Sequence, residues 1–310
     1  MRESGGRSAP PREQVRTLFG DLGVWERAGE RAPHKPLLLL LALARYARGG
    51  TRLIPFAELE EPLLALLREF GPPRQAYHPN YPFWYLRNDG VWQVTGVTPD
   101  HVRDRRSAEP TRRMLREAGA EGGLVPELFE AVRSDPQLLR DVAADLLDAH
   151  FPGSLHEDIL AAVGIELVVR MPVRDPRFRE RVLLAYGFRC AVCGFDARLR
   201  DALLGVEAAH IQWHQAGGPS RTENGLALCS LHHKLFDRGA ITLTPERRLE
   251  VSQLVNGGPA TDALVTRFHG DEIALPPDPA AVPAPAFIEW HREEVFRGPG
   301  RWMEGVGQPT

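Results

Sequence analysis

Apolar positions return every three or four residues along "EQVRTLFGDLGVW", "KPLLLLLALARYARGG" and "FAELEEPLLALLREFGPP", a period that predicts three helices. The second opens with Pro36 near its first turn and closes at Gly49-Gly50, and the third has acids early, a basic residue late and a Gly-Pro stop. The period changes in "YPFWYLRNDGVWQVT", where two short runs rich in aromatics and Val flank Asn88-Asp89-Gly90. That pattern predicts a β-hairpin inside a mostly helical domain. Helical spacing resumes in "PELFEAVRSDP", "PQLLRDVAADLLDAHF" and "SLHEDILAAVG", and the first domain is expected to end near Gly164.

Beyond that point the pattern is different. "RFRERVLLAYG" predicts a helix, "ITLTPERRLEVS" a hairpin, "LPPDPAAVPAPA" an extended stretch and "FIEWHREEVF" a final docking helix. The division expected is a disordered Gly, Ser, Pro and Arg tail over 1–11, a domain over 12–165, a linker over 166–175 running into "MPVRDPRF", and a second domain over 176–310. A length of 310 residues also favours two cores over one.

Composition narrows the classes. The apolar run Leu37–Leu43 is far shorter than the roughly 20 residues of a membrane helix, and "MRESGGRSAPPREQ" has no apolar segment behind its charges, so neither anchoring nor export is expected. A net charge of -3 removes any argument from a globally basic chain to nucleic acid, so a polyanion-binding surface must be local. One basic stretch, "HVRDRRSAEPTRRMLR", sets six arginines against two acids; a solvated face and a phosphate-contacting face both fit it. Lysine occurs only at Lys35 and Lys234.

The three cysteines lie between positions 190 and 229, which points to metal ligation in a reducing, cytoplasmic setting instead of a disulfide framework. "CAVCG" supplies Cys190 and Cys193, and Cys229 with His232 repeats the spacing. Two such knuckles offer three sulfurs and one nitrogen, the set of a closed tetrahedral structural zinc site. A redox Cys-x2-Cys pair is the competing reading, disfavoured by the second knuckle and by the lack of a surrounding βαβ pattern.

Between the knuckles lie "VEAAHIQWH", the loop "QAGGPSRTE" and "NGLALC". A strand with a His, a turn with an Asn and a short helix with a His, stapled by knuckles, resembles the HNH (ββα-metal) nucleases over roughly residues 176–296. The resemblance implies that His210 is the general base, Asn224 orients His210, and His233 binds a catalytic divalent cation such as Mg2+ or Mn2+. With Ser230 as the expected N-cap, His232 and His233 fall in the first helical turn about 100° apart, so one faces the zinc and the other the scissile phosphate. Many such sites carry an acidic residue or a second histidine just before the base, where this chain has Ala209; Glu207, His214, Asp237 or water are the alternatives for the second ligand.

In the first domain, "RAPHKP" and "YHPNYPFWYLRNDGVW" resemble the sulfur-binding domain of phosphorothioate-dependent type IV restriction enzymes. That resemblance implies a shallow sulfur pocket walled by Tyr81 and Pro82, with Arg31, His34 and Lys35, and secondarily His78, on phosphate oxygens and base edges. Phe83 and Trp84 are expected in the core, and a hairpin merely packing on helices remains the alternative for the whole segment. Together these readings give an α+β chain: a mainly helical DNA-reading domain with a β-hairpin, followed by a zinc-stapled ββα-metal HNH domain. The expected activity is hydrolysis of phosphorothioated double-stranded DNA, by a homodimer or by sequential nicks. A reader of methylated or otherwise modified bases, and a non-catalytic zinc-containing DNA-binding protein, are the alternatives.

Overall fold

The computed structural model describes residues 10–22, 33–97, 109–165 and 176–301. The expected tail over 1–11 falls almost wholly outside these residues, as do the linker 166–175 and Arg31. The chain divides into two compact units, one built mainly from residues up to 170 and one mainly from residue 171 onward.

The first unit is organised around a helix buried on every side. Its helices are α1 (Arg12–Gly20), α2 (His34–Ala47), α3 (Phe56–Phe70), α4 (Asn80–Tyr85), α5 (Arg112–Glu117), α6 (Pro126–Ser134), α7 (Pro136–His150) and α8 (Gly153–Val163). In α2 every residue from Pro36 to Ala44 is buried, so this helix has no solvent stripe and must be covered all round. It packs against α3, α4 and α7. Its end is set by Gly49 at φ 80°, where the amides of Gly49 and Gly50 return to the carbonyls of Tyr46 and Arg45. The next helix pair is joined more sharply: Asp135 caps α7 by accepting from the amides of Gln137 and Leu138, and Pro136 takes the first helical position.

The expected hairpin across Asn88-Asp89-Gly90 does not form. Asn80–Tyr85 is helical and continues as a 3-10 turn over Leu86–Asp89, and Gly90 at φ 74° ends that turn. The turn signal was therefore real, but it closes a helix. The strand that follows, β2 (Trp92–Thr95), instead pairs antiparallel with β3 (Glu121–Leu124), whose other edge holds β1 (Ile54–Pro55). Alternating aromatics misled because Phe83 and Trp84 are both core residues, at 0% and 1% exposure, as the sequence reading placed them. Aromatic bulk satisfies either period when the neighbouring surface is apolar.

The central strand reads "EGGL", and its glycines are steric necessities. A Cβ on Gly122 would lie 2.7 Å from the Phe83 ring, and one on Gly123 would lie 1.9 Å from the Arg52 carbonyl oxygen.

In the second unit, α9 (Pro176–Ala185) precedes the ribbon β4 (Arg198–Leu199) and β5 (Ala202–Leu203). Then come β6 (Val206–His210), β7 (Gly225–Cys229) and α10 (Ser230–Asp237), a hairpin followed at once by a helix. The register pairs Val206 with Cys229 and His210 with Gly225. A second hairpin, β8 (Ile241–Leu243) with β9 (Leu249–Val251), is followed by α11 (Pro259–Leu264) and α12 (Pro285–Glu294). The core gathers Phe178 and Val182 from α9, the inner residues of β6 and β7, Phe236 of α10 and Ile288 of α12. His291 of α12 is fully buried: its ring stacks on Phe236 at 3.7 Å, its Nδ1 meets Thr242 Oγ1 at 2.8 Å and its Nε2 meets the Phe236 carbonyl at 3.1 Å. One imidazole thus ties the last helix to α10 and β8. No helix among the described residues is long and apolar enough to cross a membrane.

Gly123→Ala is expected to destabilise the first unit by about 1–3 kcal/mol, because a backbone oxygen must move to admit the methyl. Chemical denaturation of the variant beside the parent checks this; an unchanged midpoint would mean that β3 and the Arg52 segment are not packed this closely.

Candidate active site and DNA-reading surface

The four knuckle residues converge. The ligand atoms of Cys190, Cys193, Cys229 and His232 all lie within 4.8 Å of one another. Cys193 Sγ is 3.9 Å from Cys229 Sγ, and His232 Nδ1 lies 3.7 Å from Cys190 Sγ and 3.1 Å from Cys229 Sγ. Zinc–ligand bonds of about 2.3 Å to sulfur and about 2.1 Å to nitrogen place tetrahedral donors about 3.6–3.8 Å apart. The four donors fit a metal ion of that kind, and Nδ1 is the His232 nitrogen that faces them. The contact between Cys190 and Cys229 lowers the Cys190 thiol against burial and raises Cys229, so the two sulfurs share one proton's worth of charge. The backbone holds the two knuckles together, since the Ala191 amide donates to the Ala227 carbonyl on β7.

The second constellation sits on β6, β7 and α10. His210 ends β6, is 8% exposed, stacks on Phe178 of α9 at 3.8 Å, and has Nε2 3.3 Å from Ser220 Oγ. Its orientation therefore comes from the ring of Phe178 and from the loop between the strands. Asn224 was expected to orient His210 through its backbone or ring, and it holds the backbone just after His210: the Asn224 carbonyl accepts from the Ile211 amide at 3.0 Å. Its Oδ1 accepts from the Gln212 amide at 2.8 Å, and its Nδ2 donates to the carbonyls of Gln212 and Pro219 at 2.9 and 3.0 Å. Asn224 thereby ties the backbone that follows His210 to the loop that carries Ser220.

The expected role of Ser230 is corrected. Cys229 occupies the cap position, Ser230 is the first residue of α10, and its Oγ donates to Glu207 Oε1 at 2.9 Å. The helical offset between the two histidines survives this shift. His232 turns to the sulfurs, whereas His233 sits between two carboxylates, with Nδ1 2.6 Å from Glu207 Oε2 and Nε2 3.2 Å from Asp237 Oδ2. Burial opposes a charged ring there, but Asp237 and then Glu207 outweigh it and push the His233 pKa up to about 9. Lys234 is exposed, and His214 is exposed with its ring 5.9 Å from that of His210.

A family model for HNH endonucleases matches residues 190–244, and a family model for ScoMcrA-like DNA sulfur-binding domains matches residues 12–168, half of the chain. The chain belongs to the ScoMcrA-like DNA sulfur-binding domain family. Its C-terminal unit is an HNH endonuclease domain. Similar solved structures include the sulfur binding domain of ScoMcrA complexed with phosphorothioated DNA, at 27% identity over 48% of this chain and 96% of that one, TM-score 0.40. The Type IV phosphorothioation-dependent restriction endonuclease ScoMcrA is 25% identical over 51% of this chain and 35% of that one, TM-score 0.40, so this chain spans about a third of its length. The modification dependent TagI restriction endonuclease is 28% identical over 43% of this chain and 41% of that one, TM-score 0.29. No curated protein matches significantly.

On the sulfur-binding domain, Tyr81 lies in α4, is 40% exposed and stacks on the exposed His78 ring at 4.7 Å. Pro82, next in the helix, is buried, so less of its ring reaches the surface than a pocket wall in the open would show. Burial and the neighbouring Glu109 raise the Tyr81 pKa. His34 and Lys35 open α2, and the Lys35 ammonium is 2.6 Å from Asp89 Oδ2. This ion pair fixes the helix start to the turn before Gly90, a contact the sequence did not signal. Of the basic stretch, Arg112 and Arg116 both meet the buried Glu60, the latter at 3.6 Å, and Arg113 pairs with Glu117 at 2.6 Å. Arg112 and Arg116 are thus tied to a buried carboxylate, whereas the Arg113 pair is exposed on its helix.

Sequence reasoning missed Phe178 and Ser220, which left no local signal, whereas Glu207 and Asp237 stood among the candidate second ligands and the structure sets both beside His233.

Cys193→Ala is expected to lower the metal content of purified protein from one tightly held ion per chain to near zero and to melt the HNH domain at a lower temperature. His233→Ala should leave that ion in place. Elemental analysis with thermal unfolding reads both; a Cys193→Ala protein that keeps its ion would show that the four donors do not form one site.

Proposed function

We propose that this protein is a modification-dependent restriction endonuclease that selects phosphorothioated double-stranded DNA with its first unit and hydrolyses phosphodiester bonds with its second. The observation that carries this reading is the joining, in one chain, of a DNA sulfur-binding domain to a β6–β7–α10 module bearing His210, Asn224 and His233.

Selection follows from the chemistry of sulfur. Replacing one non-bridging phosphate oxygen gives a larger, softer atom that accepts hydrogen bonds poorly and rests more easily against apolar surface. The half-exposed Tyr81 ring, backed by Pro82 and stacked on His78, offers such a surface. Arg31, His34 and Lys35 are assigned to the remaining oxygens and neighbouring base edges.

Cleavage needs a base, a held geometry and charge neutralisation. His210 takes a proton from water as the water oxygen bonds to phosphorus and the bond to the leaving 3′ oxygen breaks. Phe178 and Ser220 fix the ring, and Asn224 fixes the loop that presents Ser220. A hard divalent cation, Mg2+ or Mn2+, held at His233 would neutralise the charge that builds on the phosphate oxygens. Zinc at Cys190, Cys193, Cys229 and His232 is structural in this reading. The metal-type cysteine cluster suits a reducing cytoplasm. One active site per chain hydrolyses one strand at a time, so double-strand cutting calls for a homodimer or two successive nicks.

The test pairs two duplexes that differ by one stereodefined phosphorothioate. Tighter binding to the modified duplex is expected, and Tyr81→Ala should erase the difference; equal affinities of the parent protein for both duplexes would sink the sulfur reading. His210→Ala should lower cleavage by about 10²–10⁴-fold while binding to the modified duplex persists.

A further inference from the structure

The ligand gap left by Ala209 is closed by geometry elsewhere on the same strand face. Residues 207 and 209 of β6 point to one side of the ribbon, toward α10. Moving the acid back by one strand period, from 209 to 207, keeps it on that side, and Glu207 Oε2 there lies 2.6 Å from His233 Nδ1. Cis ligands of an octahedral ion with bonds of about 2.1 Å stand about 3 Å apart, so these two donors are already close to the spacing that a small divalent cation imposes.

The two carboxylates around His233 are not equivalent. The Glu207 side chain is 44% exposed, and that of Asp237 is 2% exposed. A ligating imidazole characteristically donates its second N–H to a carboxylate that fixes the tautomer and the ring direction. Asp237, one helical turn after His233 and facing Nε2 at 3.2 Å, is that partner, and it leaves Nδ1 on the open side beside Glu207. Ser230, whose Oγ donates to Glu207 Oε1, holds the other carboxylate oxygen and so aims Oε2 at the ring. His214, the remaining protein candidate, lies on the His210 side, with ring centroids 5.9 Å apart.

We propose that Glu207 Oε2 and His233 Nδ1 are the two protein ligands of the catalytic divalent cation, with Asp237 and Ser230 as positioning residues that hold the imidazole and the carboxylate in place. The proposal rests on the endonuclease reading for its purpose but not for its test. A site with only two protein ligands leaves the rest of the shell to water and phosphate oxygens, as magnesium and manganese prefer.

Mn2+ titrated into the full chain, with the cysteine site already loaded, and followed by electron paramagnetic resonance of the free ion, measures the site without DNA or cutting. The parent protein should take up one Mn2+ per chain. Glu207→Gln should weaken uptake by at least tenfold, Asp237→Asn by about 10–100-fold, and His214→Ala should match the parent. Glu207→Asp, which keeps the charge and shortens the reach, should lie between parent and Glu207→Gln, and retention of the cysteine-site metal reports that each variant is folded. No uptake by the parent, parent-like affinity in folded Glu207→Gln, or loss of uptake in His214→Ala would each overturn the assignment. A protein that binds Mn2+ as described yet cuts no phosphorothioated DNA would instead overturn the endonuclease reading and leave the cation site standing.

Discussion

The second unit depends on four donor atoms being gathered at one point. Its functional ribbon is two strands of five residues, and an isolated two-stranded ribbon is marginal in water at best. The knuckle loops supply what the sheet lacks. Cys190 and Cys193 come from the loop after α9, Cys229 ends β7 and His232 lies in the first turn of α10, so closing the cluster fixes the ribbon, the helix and the preceding loop against each other. One helical turn further along α10, His291 does the same work with ordinary hydrogen bonds and a stacked ring, drawing α12 and β8 onto Phe236. The helix bearing His233 is held at two points one turn apart, and its side chains cannot drift without breaking one set of contacts.

That constraint explains how neighbouring histidines take unlike duties. Successive helical residues diverge by about 100°, so a helix pinned through His232 must direct His233 elsewhere. It meets Glu207 of β6 because the register sets Glu207 opposite Leu228, one residue before the cap of α10. The pairing of strand and helix, and not the local sequence "LHHK", decides what His233 touches. Asn224 follows the same logic. It stands where β7 begins, and its amide spans Gln212 and Pro219, which fixes the loop whose Ser220 meets His210.

Legibility differed between the two halves for physical reasons. Long helices with clear periodicity, α2, α3, α6, α7 and α8, were readable because each carries its own apolar pattern and stop signals. The knuckles were readable because metal ligation demands fixed spacing. The segment 80–95 was misread as a hairpin because Asn-Asp-Gly encodes a left-handed turn without specifying what precedes it, and the partner of β2 is β3, well downstream in the chain. Contacts between distant segments, Phe178 on His210 or Asp89 on Lys35, leave no local trace. Asn224 was legible as a residue, but its partners, the Ile211 and Gln212 amides and the Gln212 and Pro219 carbonyls, were not, since a motif names the amide and not what it bonds.

The DNA-reading surface follows a different economy of interactions. A basic stretch would be the simplest polyanion site, yet Arg112 and Arg116 in this one are turned onto Glu60, which is 3% exposed, while Arg113 makes an exposed pair with Glu117. Removing an arginine from such a buried carboxylate is costly, so those side chains are unsuited to exchange onto phosphate. What remains at the surface of α4 is an aromatic ring, Tyr81, stacked on His78 and placed beside the acid Glu109. A phosphorothioate diester carries the same single negative charge as a phosphate diester, so an acid near the ring weakens both alike, and any discrimination must come from contact with the softer, poorly accepting sulfur. On the proposed reading, discrimination at this patch therefore rests on apolar contact with the Tyr81 ring and not on charge.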